Sequence, residues 1–172
     1  MDFAYKRCIY FKTMNKRIEY DLKLFVPKPY PGDAEGSFVL GTDSDVLQTV
    51  LIKSNTPNEL LGHVWFGLKT AGPPGYVHGG CQAAILDEMM GSTGWHYNHP
   101  VVAAKIEVEF LELVPYENQY DLQGTITKID KRKVHISAKL FKDETVYAKS
   151  TGLFIILNDE QLAKLKVKKN EN

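Results

Sequence analysis

The run Cys81-Gln82-Ala83-Ala84-Ile85-Leu86-Asp87-Glu88-Met89-Met90-Gly91 constrains the fold more than any other stretch of this chain. It is rich in good helix formers, and the residues before it, Gly75-Tyr76-Val77-His78-Gly79-Gly80, carry glycines where a backbone bends. Together they read as a turn feeding a helix of about three turns, with Gly91 as its stop. The apolar residues do not fit one narrow stripe, so the helix is expected to be buried on most sides. Asp87 and Glu88 conflict with that environment. A carboxylate there is costly unless it is paired, protonated or faces a cavity.

The rest of the chain supplies strands to wrap this helix. Asp45–Lys53 and Leu60–Lys69 read as strands before it, and Ser37–Leu40 as a further short one. After it, Val101–Leu113 alternates in its middle, with Ile106, Val108 and Phe110 on one face and Lys105, Glu107 and Glu109 on the other. Tyr120–Ile129, Lys133–Phe141 and Thr145–Leu157 follow as a meander with turns at Pro115–Asn118 and Asp130–Arg132. One buried helix followed by an antiparallel meander is an α+β layout. The expected organisation is an N-terminal extension with short strands over 1–59, including a helix at Tyr5–Leu24, a domain over 60–157, and a lysine-rich tail over 158–172 starting as a short helix.

Composition narrows the function classes. A chain of 172 residues is enough for one domain with a full core. Its 21 basic and 21 acidic side chains cancel, so no overall field favours nucleic acid or an anionic membrane. No apolar run is long enough for a transmembrane helix, and no secretory signal is recognisable, so a cytoplasmic protein is expected, with a mitochondrial one as the alternative. Cys8 and Cys81 read as reduced thiols. No Gly-rich phosphate loop is present, and no cofactor or metal is expected, because His96 and His99 lack further ligands at metal spacing.

His78-Gly79-Gly80, six further residues and then Asp87, with Gly72-Pro73-Pro74-Gly75 before and strands after, resembles the hotdog-fold acyl-CoA thioesterases of the phenylacetate (PaaI-like) type. The resemblance covers about Leu60 to Leu157 and includes Asp130-Lys131-Arg132-Lys133 and the strand Tyr147–Phe154. It implies an antiparallel sheet wrapped around one long central helix, in a homodimer that sometimes pairs into tetramers, and hydrolysis of an acyl-CoA. It also implies that Asp87 is the general base or nucleophile and that the Gly79 N–H polarises the thioester carbonyl. Gly72 stands where many members carry asparagine, and Ala103 where a serine or threonine often lines the site.

The residues support that chemistry on their own terms. Gly79 and Gly80 place free N–H groups at the positive end of a helix, where a developing oxyanion is stabilised. His78 reads as a turn anchor, with a general acid as the alternative. Glu88 is the second acid of the helix, and Arg132 and Lys133 are candidates for coenzyme A phosphates. Gly79 and Asp87 lie eight residues apart, or roughly 12 Å along one helix. One chain therefore cannot bring both to one carbonyl, and a twofold pair of antiparallel helices can. A non-catalytic acyl-CoA binder of the same fold is the alternative function, and hydration of an enoyl thioester a third.

Overall fold

Alternation along the strands builds one sheet. The computed structural model describes Phe25–Val26, Val39 and residues 45–167. Its strands are β1 (Phe25–Val26), β2 (Leu47–Lys53), β3 (Glu59–Phe66), β4 (Val101–Phe110), β5 (Asn118–Asp130), β6 (Lys133–Lys142) and β7 (Thr145–Ile156). Helix α1 (Gly79–His96) lies between β3 and β4, and α2 (Asp159–Val167) follows β7. The order across the sheet is β1-β2-β3-β5-β6-β7-β4, and every neighbouring pair is antiparallel. The expected helix at Tyr5–Leu24 lies outside the described residues, as does the expected strand at Ser37–Leu40 apart from Val39, a buried turn residue. No described helix is long and apolar enough to cross a membrane.

The inward positions of β3, β5 and β6, among them Val64, Phe66, Leu122 and Ile136, are buried against Ile85, Leu86, Met89 and Met90 of α1. Glycine lets helix and sheet approach closely. A Cβ on Gly124 would run into Thr93 Oγ1 and the Met89 carbonyl, and one on Gly152 into Phe154 and Met90. Thr93 cannot turn away freely, since its hydroxyl donates to the Met89 carbonyl at 2.7 Å. Gly124→Ala is therefore expected to destabilise the fold by about 1–3 kcal/mol through overpacking, read as a lower urea midpoint at unchanged slope.

Two expectations about α1 are corrected. Gly91 does not end the helix, which runs five residues further to His96. A mid-helix glycine costs only about 1 kcal/mol, and tertiary ties hold the extra turn: the Trp95 indole N–H donates to the Val101 carbonyl at 2.9 Å, and the Tyr97 hydroxyl donates to the Glu59 carbonyl at 2.9 Å. Nor is the helix buried on most sides within one chain. Its sheet-facing side is buried, while Ala83, Ala84, Asp87, Glu88 and Gly91 form a half-exposed stripe on the other.

Strand β4 departs from simple alternation. Ala104 is an extra residue between Ala103, paired with Phe154, and Lys105, paired with Leu153. This bulge shifts the facing of the strand beside the helix. Ile106 and Val108 are half-buried as expected, but Phe110 is 54% exposed, because β4 is the last strand of the sheet and no described element covers it there.

Candidate active site

The turn before α1 is held by backbone bonds. Gly72 N–H donates to the Tyr76 carbonyl at 2.9 Å, Val77 N–H to Val114 at 2.8 Å and His78 N–H to Thr70 at 2.7 Å. Gly75 takes a φ of 88°, which favours glycine. His78 is the N-cap, and its Nδ1 accepts from Gly80 N–H at 2.9 Å. The Gly80 N–H expected to face a ligand is thus already used by the cap. Gly79 N–H, the first of the helix, has no hydrogen-bond partner among the described residues. It remains a single donor at the positive end of an 18-residue helix.

The cap gives His78 a structural task. His78→Ala is expected to cost about 0.5–2 kcal/mol of stability, as for other lost N-caps, while lowering kcat less than tenfold. Thermal midpoints and turnover of the variant check both. Gly72 is equally bound to this turn: a Cβ there would stand 2.8 Å from His78 Cα. The backbone leaves no room for a side chain at this position without a shift.

Further along α1, Asp87 is half-buried, and its Oδ1 is fully enclosed without a hydrogen-bond partner among the described residues. Burial pushes its carboxyl above the ordinary range. It opens on a cleft of about 280 Å³ shared with Glu88, Trp95, Val102, Ala103 and Leu165. Glu88 accepts from the Ser92 hydroxyl at 3.1 Å. Ala103 stands in the cleft as the resemblance implies, and brings no hydroxyl.

The fold thus brings Asp87, Glu88 and Ala103 together and leaves His78, Gly79 and Gly80 at the far end of the helix. Arg132 points elsewhere: its Nε donates to the Ile156 carbonyl at 3.0 Å and its Nη2 to Gln161 Oε1 at 3.1 Å. Lys133 is exposed at the start of β6. Burial pushes the Cys81 thiol up, away from nucleophilic use. His96 is pushed down by burial and then by the charge of Lys53, and no group of three metal-ligating side chains occurs among the described residues. Leu165 was not foreseen as a cleft residue. The Asn158-x-x-Gln161 pair opening its helix, with Leu162 and Leu165 three apart, is the signal that marks it.

Comparison with known proteins fits this geometry. Residues 74–149 match the family model described as Thioesterase superfamily. The human acyl-coenzyme A thioesterase THEM5 is 33% identical over 92 residues, 52% of this chain and 37% of the relative. The bovine acyl-coenzyme A thioesterase THEM4 is 30% identical over 115 residues, 65% of this chain and 47% of the relative. The chain thus aligns with less than half the length of each. A crystal structure of a thioesterase superfamily protein superposes with a TM-score of 0.59 at 26% identity, covering 63% of this chain and 53% of that one. A helix begun by His78-Gly79-Gly80, bearing Asp87 eight residues on and wrapped by an antiparallel sheet, is the hotdog arrangement, and over residues 74–149 this chain is similar to the thioesterase superfamily.

Proposed function

We propose that the chain is an acyl-CoA thioesterase that hydrolyses the thioester of a coenzyme A conjugate to free acid and CoA. The observation that carries the reading is the Asp87 carboxylate, with one oxygen enclosed and unpartnered at a cleft, on the helix whose first N–H, at Gly79, is unused. A carboxylate desolvated in this way is a stronger base than one in water. The relatives' acyl-CoA thioesterase names support the substrate class.

The working unit is a homodimer. Gly79 and Asp87 lie on one continuous helix, roughly 12 Å apart along its axis, so each site takes the amide from one chain and the carboxylate from the other. Two features favour such pairing. Among the described residues strand β4 ends the sheet with an unpaired edge and exposed Phe110, followed by exposed Leu111 and Leu113, a combination that proteins normally cover. The half-exposed stripe of α1 is made of small residues and the two acids, so a second helix can come near.

In the reaction, the thioester carbonyl oxygen accepts from Gly79 N–H, which stabilises the negative charge as the carbon becomes tetrahedral. The partner subunit's Asp87 takes a proton from water, and the resulting hydroxide adds to the carbon. The C–S bond then breaks with its electron pair on sulfur, and the proton held by Asp87 passes to the CoA thiolate. Release of free thiol from a panel of acyl-CoAs of different length tests the reading. Absence of release across the panel, with acyl-CoA still bound, would favour a non-hydrolysing binder, the reading that Ala103 and Gly72 support by lacking the polar side chains that the family resemblance implies there.

A further inference from the structure

We propose that helix α2 forms a wall of the Asp87 cleft and that Leu165 there limits the length of the acyl chain it takes. This deepens the thioesterase reading and rests on it.

Helix α2 is anchored at its start. Asn158 Oδ1 accepts from Gln161 N–H at 2.9 Å, and Gln161 Oε1 accepts from Asn158 N–H at 3.0 Å, a reciprocal capping box. Gln161 Oε1 also accepts from Arg132 Nη2, while Arg132 Nε bonds the Ile156 carbonyl. Just upstream, buried Leu157 donates its N–H to the Pro100 carbonyl at 2.8 Å. The helix start is thereby tied to the turn before β6, to the end of β7 and to the residue before β4.

From that anchor the helix carries Leu165 to the cleft that holds Asp87. Leu165 is 47% exposed, so it stands at the mouth and not in the core. Trp95, also in the cleft, is fixed by its indole bond to Val101. The other cleft residues lie on the central helix, β4 and β7, and Leu165 alone comes from helix α2. The volume of about 280 Å³ lies at the small end of ligand pockets, which run from roughly 300 to 1,000 Å³. Long chains meet Leu165.

The test measures kcat/KM for saturated acyl-CoAs of different length, with binding of non-hydrolysable S-alkyl-CoA thioethers of the same lengths, in wild type, Leu165→Ala, Leu165→Trp and Arg132→Ala. Wild type is expected to favour short and medium chains over long ones. Leu165→Ala is expected to raise the long-to-medium ratio at least tenfold, and Leu165→Trp to lower binding and turnover of medium chains at least tenfold with the shortest unchanged, the usual reach of a few methylenes in an apolar pocket. Arg132→Ala, which releases the helix anchor, is expected to follow Leu165→Ala. Length profiles that coincide in all four proteins, with thermal midpoints intact, would overturn the proposal while Asp87-dependent hydrolysis left the thioesterase reading standing. Profiles that shift in thioether binding without any hydrolysis would support the wall and remove the thioesterase reading instead.

Discussion

Asp87→Asn is expected to lower kcat for acyl-CoA hydrolysis by about 10²–10⁴-fold, the usual range for loss of a general base, with KM changed far less. The amide keeps the shape of the carboxyl but cannot accept the proton from water. Stability should move the other way. Burial raises the Asp87 carboxyl in the folded chain, so over the interval between its unfolded and folded values the native state binds more protons than the unfolded one, and stability falls as pH rises through it. At neutral pH, where the wild-type carboxylate carries that penalty, the variant should melt at or above the wild-type midpoint; below the ordinary carboxylate range the penalty is absent. The same shift places the acid limb of kcat/KM above the pH at which an ordinary aspartate titrates, since the free enzyme's base must be ionised. A pH–rate profile measured beside thermal melts of both proteins checks the two signs together.

Gly79→Pro is expected to lower kcat by about 10²–10³-fold, the effect of losing one oxyanion donor, while leaving the fold in place. Proline suits the first helical position, where its missing N–H has no helical partner. The residue before a proline must be extended, and His78 already sits at φ −60° and ψ 137°. The nearest atom to a new Cβ is Phe110 Cζ at 3.3 Å, the far end of an exposed side chain. The substitution therefore removes the N–H and little else. Circular dichroism and thermal melts comparable to wild type, with turnover lost, are the expected result.

Much of this site was legible because the local rules agree with one another. Glycines ahead of good helix formers located α1, and residue type, turn signals and partial alternation located the strands that carry its cover. Asp87 stood out because a carboxylate in an apolar helix needs an explanation that its neighbours do not supply. The helix end was misread at Gly91 for a physical reason: propensity penalises glycine, but Trp95 and Tyr97 tie the next turn to β4 and β3 through bonds that only the tertiary fold makes. The same holds for Gly80, whose N–H looked free until the His78 ring was placed on it. Arg132 illustrates the limit most clearly. A charged hairpin residue suggests phosphate, yet its guanidinium holds the start of the short helix expected at the head of the tail. The bulge at Ala104 and the exposure of Phe110 depend on β4 being the final strand, a fact of topology that alternation does not contain.

The claim on which the account turns is that amide and carboxylate come from different chains. Co-expressing Asp87→Ala and Gly79→Pro chains with different tags, and purifying the species that carries both tags, tests it directly. In that heterodimer one site combines the intact Asp87 of one chain with the intact Gly79 of the other, and the second site has neither. Activity of roughly half the wild-type dimer is expected from two parents that are each nearly inactive. A doubly tagged dimer no more active than its parents, or a wild-type protein that turns over as a monomer, would contradict the shared site.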